Sequence, residues 1–353
     1  MRLRTGVVAA VAWSLVSAAG AQGPGAPPLT PAAGAMDAAL LNSAYRRAVS
    51  LPKLRSLLVA RSGTLVRERY FHGAKATQPA NLKSASKSLI SALVGIAIQR
   101  GDITGVRQPI KPFFAQELAA DQDRRKDWIT IEDLLTMRSG LQTTSFFNYG
   151  RWVSSRDWVR FALTQPMVTN PGSEMDYSTG NTHLLSTILT RATKISTWEY
   201  ASRHLARPLG IALQPWQRDP QGVFFGGNDM YLTPRAMLAF GNLYLRHGRS
   251  ADGKQIVPAA WVDSSFVTRT RSGWSGMEYG YGWWSRPMAG HDVRLAWGYG
   301  GQFIFVVPTL DLTIVTTSDP NPARRGDDHL DAIYELVEQY LIPAATRGGG
   351  RGH

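Results

Sequence analysis

Residues 37–49 (DAALLNSAYRRAV) place apolar side chains at helical spacing and predict a helix. Two strand-like runs follow, Ser56 to Ala60 and Thr64 to Phe71. The turn residues Ser62-Gly63 between them predict a hairpin. Beyond Ser84 the pattern changes. From Ala85 to Ile98 the chain is apolar on nearly every side, which marks a buried helix, with Gly101 as its C-cap. "TIEDLLTM" predicts a second helix, with Thr130 as N-cap and Asp133 three residues on. Leu184, Leu185, Ile188, Leu189 and Ala192 form the stripe of a third. "LTPRAMLAFGNLYLRHG" predicts a fourth, with Pro234 in its first turn and Gly248 just past its end. Strand signals return at Gly280 to Trp284, Gln302 to Val307 and Leu312 to Thr317, the last two joined through Pro308 to Asp311 as a hairpin. Leu330, Ile333, Val337, Tyr340 and Leu341 mark a C-terminal helix.

Helix, strands, a long helical block, strands and helix make an α+β order. Late strands can join early ones in one sheet that carries both terminal helices. The predicted domain is 36–342, with a sheet lobe over about 36–80 and 255–342 and an all-helical lobe over about 81–254. A site is expected in the seam between them. The flanks read differently. Arg2 and Arg4, the apolar Val7 to Val16 and the small residues Ala19-Gly20-Ala21 before Gln22 form the pattern of a secretory signal peptide over 1–21. That stretch is too short to span a bilayer, so a secreted or periplasmic protein is expected. Residues 22–35 read as a Pro/Gly/Ala-rich linker, and 343–353 as a flexible tail.

Composition narrows the chemistry. A chain of 353 residues that is 44% hydrophobic can bury a sizeable core. It has no cysteine, which excludes disulfides, thiolate catalysis and cysteine zinc sites. The net charge of +13 is spread along the chain in short clusters such as "DRRK" at 123–126. No helix-turn-helix, zinc-finger or ribonucleoprotein signature accompanies it, so no nucleic-acid partner is expected. A solvated arginine-rich surface is the plain reading, and weak attraction to anionic cell-envelope polymers the alternative. None of the seven histidines has metal-ligand spacing such as H-E-x-x-H, and no metal or cofactor is expected. They read as surface or packing residues, with His183 notable for lying six residues past Tyr177. No G-x-S-x-G occurs, which argues against an α/β-hydrolase elbow.

Lys87 is the anomaly of the buried helix. An unpaired buried ammonium costs several kcal/mol unless it is paired or loses its proton. Ser84 and Lys87, spaced i and i+3, share one helical face. At a helix start the dipole and free N–H groups favour a developing oxyanion, and a partly desolvated lysine one turn on can take the serine's proton. This reading expects Lys87 near water, at the edge of a cleft. S-x-x-K alone is weak, because a cap serine followed by an outward-reaching lysine matches it equally. "PGSEMDYSTGNTHLL" at 171–185 adds Tyr177 on a loop before a buried helix, either as a phenolate or as a proton shuttle to a leaving group. "RLAWGYGGQFIFVVP" at 294–308 adds a glycine-rich entry to a strand, where backbone can approach a ligand.

Together, in this order, these three stretches resemble the penicillin-recognising serine hydrolases: serine β-lactamases (class C in particular), DD-peptidases and related esterases and amidases. "WITIEDLLTMRSGL", "GGNDMYLTPRAMLAFGNLYL" and "YGYGWW" carry the same resemblance, which runs from about 50 to 342. It implies an antiparallel sheet flanked by the terminal helices, with an all-helical lobe beside it. It implies Ser84 as nucleophile, Lys87 as base and Tyr177 as the tyrosine of a Y-x-N motif. The third motif, usually K-T-G or H-x-G, falls on Ala296-Trp297-Gly298, and Tyr299 would supply a second oxyanion N–H beside that of Ser84. Two positions depart from the pattern. Thr179 stands where the motif has asparagine; Asn181 lies two residues on, and whether it substitutes is left open by the sequence. Ala296 stands where a cation usually holds the substrate carboxylate, which argues against efficient β-lactam hydrolysis.

The "A-x-G-Y-G-G-Q" form is most similar to the 6-aminohexanoate-dimer hydrolase branch. The expectation is therefore an exported amide or ester hydrolase acting on a small molecule. A DD-peptidase or β-lactamase, and a non-catalytic cell-wall-binding homologue, are the alternatives. Asn228, Trp216, Trp297, Phe146 and Phe147 are further candidates for the cleft wall.

Overall fold

The computed structural model describes residues 35–321 and 328–348. The expected signal peptide, and the linker but for its last residue, lie outside the described residues. Helix α1 spans Ala38–Val49, with the Asp37 carboxylate accepting from the Leu40 N–H as its N-cap. The strands β1 (Leu54–Arg61) and β2 (Thr64–Tyr70) form the expected hairpin. A short strand β3 (Ala80–Asn81) pairs with β4 (Tyr231–Leu232) and brackets the helical block. The late strands are β5 (Thr270–Arg271), β6 (Glu278–Tyr279), β7 (Trp284–Met288), β8 (His291–Gly298), β9 (Gln302–Val307) and β10 (Leu312–Ser318). One eight-stranded sheet runs β2-β1-β10-β9-β8-β7-β6-β5, antiparallel throughout, so the late strands join the early hairpin through β10 and β1.

Both faces of the central strands are covered, which explains why β1 and β9 read as continuous apolar runs rather than alternating ones. Leu57, Val59, Phe303 and Phe305 point into the core under α1 and the C-terminal helix. Their neighbours Leu58, Ala60, Ile304 and Val306 point into the core shared with the helical block. Helix α2 (Ser86–Gln99) runs through that second core, with twelve of its fourteen residues buried. The helix Ile131–Leu135 begins with the capping box the sequence predicted, Thr130 and Asp133 bonding reciprocally.

Three expectations need correction. Residues 280–283 form a turn rather than a strand, because the Gly280 N–H bonds the Trp283 carbonyl and the Gly282 carbonyl accepts from Ser88 on α2. Strand β8, with its alternating Val293 and Leu295, was not anticipated. The C-terminal helix continues past 342: residues Ile342–Gly348 are helical with Ala344 and Ala345 buried, so no flexible tail begins at 343. Among the described residues, no helix is long and apolar enough to cross a membrane.

Candidate active site

Ser84 sits in a single 3-10 turn, Lys83–Ala85, that leads directly into α2. The turn is strained. Lys83 holds φ +50°, a left-handed conformation that costs a non-glycine residue of order 1–3 kcal/mol. Asn81 holds it there: its Oδ1 accepts the Lys83 N–H at 2.9 Å, and its Nδ2 donates to Asp229 Oδ1 at 2.6 Å. Lys83 Nζ pairs with the same carboxylate at 3.2 Å. The peptide that presents Ser84 is therefore tied to Asp229, just beyond the helical block's Gly226-Gly227 pair.

Lys87 uses its three donors on three oxygens. Nζ donates to Ser84 Oγ at 3.2 Å, to Thr179 Oγ1 at 3.3 Å and to the Gly227 carbonyl at 2.7 Å. It is only 2% exposed, so the expectation of a lysine near water is corrected: the helix end is roofed by the helical block, and protein oxygens replace solvent. That burial lowers its pKa to about 7, with the charge of Asp229 opposing. A comparable share of neutral amine, able to accept a proton, is then present at neutral pH.

Tyr177 reaches the same point from the loop before the helix Thr179–Thr193. Its ring centroid lies 5.0 Å from Lys87 Nζ, and it borders the same cavity as Ser84. Burial pushes its pKa well above the usual tyrosine value, and the nearby Ser84 opposes this only in part. That direction favours the neutral phenol over the phenolate.

The helix Thr179–Thr193 contributes Thr179, and the Gly226-Gly227 loop contributes a carbonyl; sequence reasoning assigned neither a role. Thr179, at the position expected to be asparagine, itself bonds Lys87, and Ser145 Oγ supports it at 2.9 Å. Asn181 does not substitute for it. Asn181 is buried one half-turn away, where its Oδ1 accepts from Ser139 at 3.1 Å, and it does not line the cavity. A Cβ at Gly227 would stand 2.8 Å from Thr179 Cγ2, 3.0 Å from the Thr179 carbonyl and 3.3 Å from Lys87 Nζ, so a larger residue there would push on both partners. Asn228 is likewise off the cavity: its Nδ2 donates to the Tyr149 hydroxyl at 3.0 Å. His183 is a packing residue, and one with leverage. Its Nδ1 accepts the Gly226 N–H at 3.4 Å and its Nε2 donates to Asp219 at 3.0 Å, with both side chains fully buried. The tyrosine, serine and lysine were legible as motifs, whereas the only sequence signal for the carbonyl was the glycine pair.

A cavity of about 150 Å³ opens on Ser84 and Tyr177. Trp297, Tyr299 and Gly300 border it from the sheet, together with Trp284, Trp274, Leu330 and Phe146. Among the described residues, no charged side chain lines it. Ala296 is fully buried in the same apolar cluster as Leu82 and Ala85, so an apolar methyl occupies the usual cation's position. Gly298 explains how the sheet meets the Ser84 turn: a Cβ there would stand 2.0 Å from the Leu82 carbonyl, so only glycine lets β8 approach so closely. Of the other candidate wall residues, Phe147 projects outward at 73% exposure, and Trp216 is buried with its Nε1 on the Phe225 carbonyl. A larger cavity, about 410 Å³ beside Arg55, His72 and Asp319, holds none of Ser84, Lys87 and Tyr177.

The beta-lactamase family model matches residues 55–338. A 6-aminohexanoate-dimer hydrolase from Paenarthrobacter ureafaciens is 26% identical over 300 residues, covering 76% of this chain and 74% of that protein. Among solved structures, a candidate 6-aminohexanoate-dimer hydrolase from Bacillus anthracis superposes with a TM-score of 0.71 at 21% identity, over 84% of this chain and 79% of that one. EstCE1, a hydrolase with promiscuous acyltransferase activity, superposes with a TM-score of 0.67 at 17% identity, over 85% of this chain and 98% of that one.

Proposed function

The chain belongs to the beta-lactamase family and has the fold of its hydrolases, and we propose that it is a serine hydrolase that cleaves amide or ester bonds through an acyl-enzyme on Ser84. The observation that carries this reading is the hydrogen bond from buried Lys87 Nζ to Ser84 Oγ at 3.2 Å, with the amine brought to about 7 and the Tyr177 ring beside both. Ser84 Oγ attacks the carbonyl carbon, and its proton passes to neutral Lys87. The backbone N–H groups of Ser84 and Tyr299 receive the oxyanion at the helix start. Tyr177, kept as a phenol, hands its proton to the leaving nitrogen or oxygen, and the proton on Lys87 makes good the loss. Water then releases the acyl group by the reverse path. Oxyanion stabilisation and proton transfer each contribute ~3–5 kcal/mol in such sites.

The apolar Ala296 favours substrates without a carboxylate beside the scissile bond over β-lactams and DD-peptides. The relative named for 6-aminohexanoate-dimer hydrolysis lends weight to a linear amide. A fluorophosphonate probe tests the nucleophile: the wild type is labelled at Ser84 and Ser84→Ala is not. Labelling that persists in Ser84→Ala sinks the assignment. Parallel rates on a nitrophenyl ester, a linear amide and nitrocefin test the preference, which fast nitrocefin turnover would reverse.

A further inference from the structure

We propose that Trp274 and Phe146 form the size-limiting wall of the pocket beside the scissile carbonyl, and that this pocket takes an uncharged apolar group about as large as a benzene ring. The proposal rests on the serine-hydrolase reading of the same site.

The cavity wall divides into a buried part and an exposed part. Trp284 is 3% exposed and packed on Tyr279, and Trp297 stacks on the buried Phe303 at 6.1 Å. Trp274 and Phe146 differ, being 54% and 57% exposed although both are large apolar side chains. They come from far-apart segments, Trp274 from the turn between β5 and β6 and Phe146 from the 3-10 turn Phe146–Asn148. Their rings meet edge to face at 5.9 Å across the cavity mouth. Trp274 also touches Trp297 at 5.5 Å, Trp284 at 5.8 Å and Tyr177 at 6.4 Å, so it bounds the space in front of Ser84.

Size and lining then set the ligand. A mostly apolar cavity of about 150 Å³ is the size that accepts benzene. The exposed faces of Trp274 and Phe146 gain from contact with an apolar group, and their negative π-faces offer no partner to a carboxylate. Closing the mouth with one ring edge from each segment limits the length of a chain that can lie inside. Removing the indole removes that limit and much of the contact area.

The experiment is a series of nitrophenyl esters, from acetate through butyrate and hexanoate to decanoate, together with the half-ester of adipic acid. For the wild type, kcat/KM is expected to climb roughly fourfold per added methylene up to hexanoate and to fall by decanoate. The adipate half-ester, matching hexanoate in length but ending in a carboxylate, should react at least about tenfold more slowly than hexanoate. In Trp274→Ala the hexanoate-to-acetate ratio should drop about tenfold or more and the decanoate-to-hexanoate ratio should rise, while Trp274→Phe keeps a profile nearer the wild type's. Fluorophosphonate labelling of Ser84 in each variant shows that the fold and the nucleophile survive. A flat chain-length profile, an identical profile in Trp274→Ala, or equal rates for adipate and hexanoate esters in a labelled enzyme overturns this proposal alone. Absence of both labelling and turnover in the wild type overturns the serine-hydrolase reading beneath it.

Discussion

Lys87 donates to the Gly227 carbonyl at 2.7 Å, a shorter bond than the 3.2 Å one it makes to Ser84 Oγ. A carbonyl does not titrate, so it stabilises the ammonium at every pH and never removes the proton. It works against desolvation, which would otherwise drive the buried amine further toward neutrality. The base strength of Lys87 is thus set by a loop distant in sequence as well as by burial.

With Lys87 at about 7, the active form is the neutral amine. The kcat/KM for a neutral ester should rise with pH through an apparent pKa near 7 and level off above it. A flat profile between pH 5.5 and 8.5 would contradict this. The stability consequence has its own sign. The folded-state pKa lies below the unfolded value, so between about 7 and 10.5 the unfolded state binds the extra proton and folding stability increases with pH. Lys87→Met should lose that slope and, at pH 7, should melt no lower than the wild type in a thermal scan while being inactive.

Thr179→Val removes one oxygen from Lys87 without changing side-chain volume much. The ammonium loses a hydrogen bond worth about 1.5–3 kcal/mol in the charged form. The acid limb of the pH profile should therefore move to lower pH, with kcat at pH 8 reduced on the order of tenfold. Thr179→Ser should restore the wild-type limb; steady-state kinetics across pH read both.

Gly298→Ala places a methyl 2.0 Å from the Leu82 carbonyl. The clash is with backbone, so β8 and the Ser84 turn must separate. Because misplacing a reacting group by about 1 Å can cost on the order of 100-fold, a loss of that size in kcat/KM is expected. The measurement is ester hydrolysis alongside circular dichroism, and wild-type rates in the variant would remove Gly298 from the site's architecture.

Asp219→Ala should act on Lys87 through two intermediaries. The Asp219 carboxylate accepts from His183 Nε2 and from the N–H groups of Gln221 and Val223. Its loss leaves the fully buried His183 Nε2–H unpaired, at a cost of roughly 1–3 kcal/mol measured by denaturant unfolding. It also frees the Gly226-Gly227 loop, so the surviving activity should show its acid limb at lower pH. An unchanged limb would confine the pair to a purely structural role.

Export is tested separately. If residues 1–21 are a cleaved leader, the mature protein recovered from the periplasm or medium begins at Gln22, which intact mass reads directly. A full-length cytosolic chain would reject that reading.

Much of the fold was readable in sequence because its signals are local. The apolar runs at Leu57–Ala60 and Gln302–Val307, the Thr130–Asp133 capping box and the Pro234 helix start each declare an element within a few residues. Strand β8 was harder to read, since its residues alternate with Asp292 and Arg294 and its close approach to the Ser84 turn lies in what Gly298 omits.

From the sequence came Ser84, Lys87 and Tyr177 as candidates, through the family their three stretches resemble in that order, while i, i+3 spacing alone put Ser84 and Lys87 on one helix face. Tertiary structure decided everything that depends on segments meeting. It made Lys87 buried rather than water-exposed, chose Thr179 over Asn181 as its neighbour and paired Asn228 with Tyr149. It also brought Gly227 and Asp229 from more than a hundred residues away to tune the amine. Desolvation and hydrogen bonding act through space over a few ångströms, and no pattern along the chain encodes which distant oxygen will arrive within that reach.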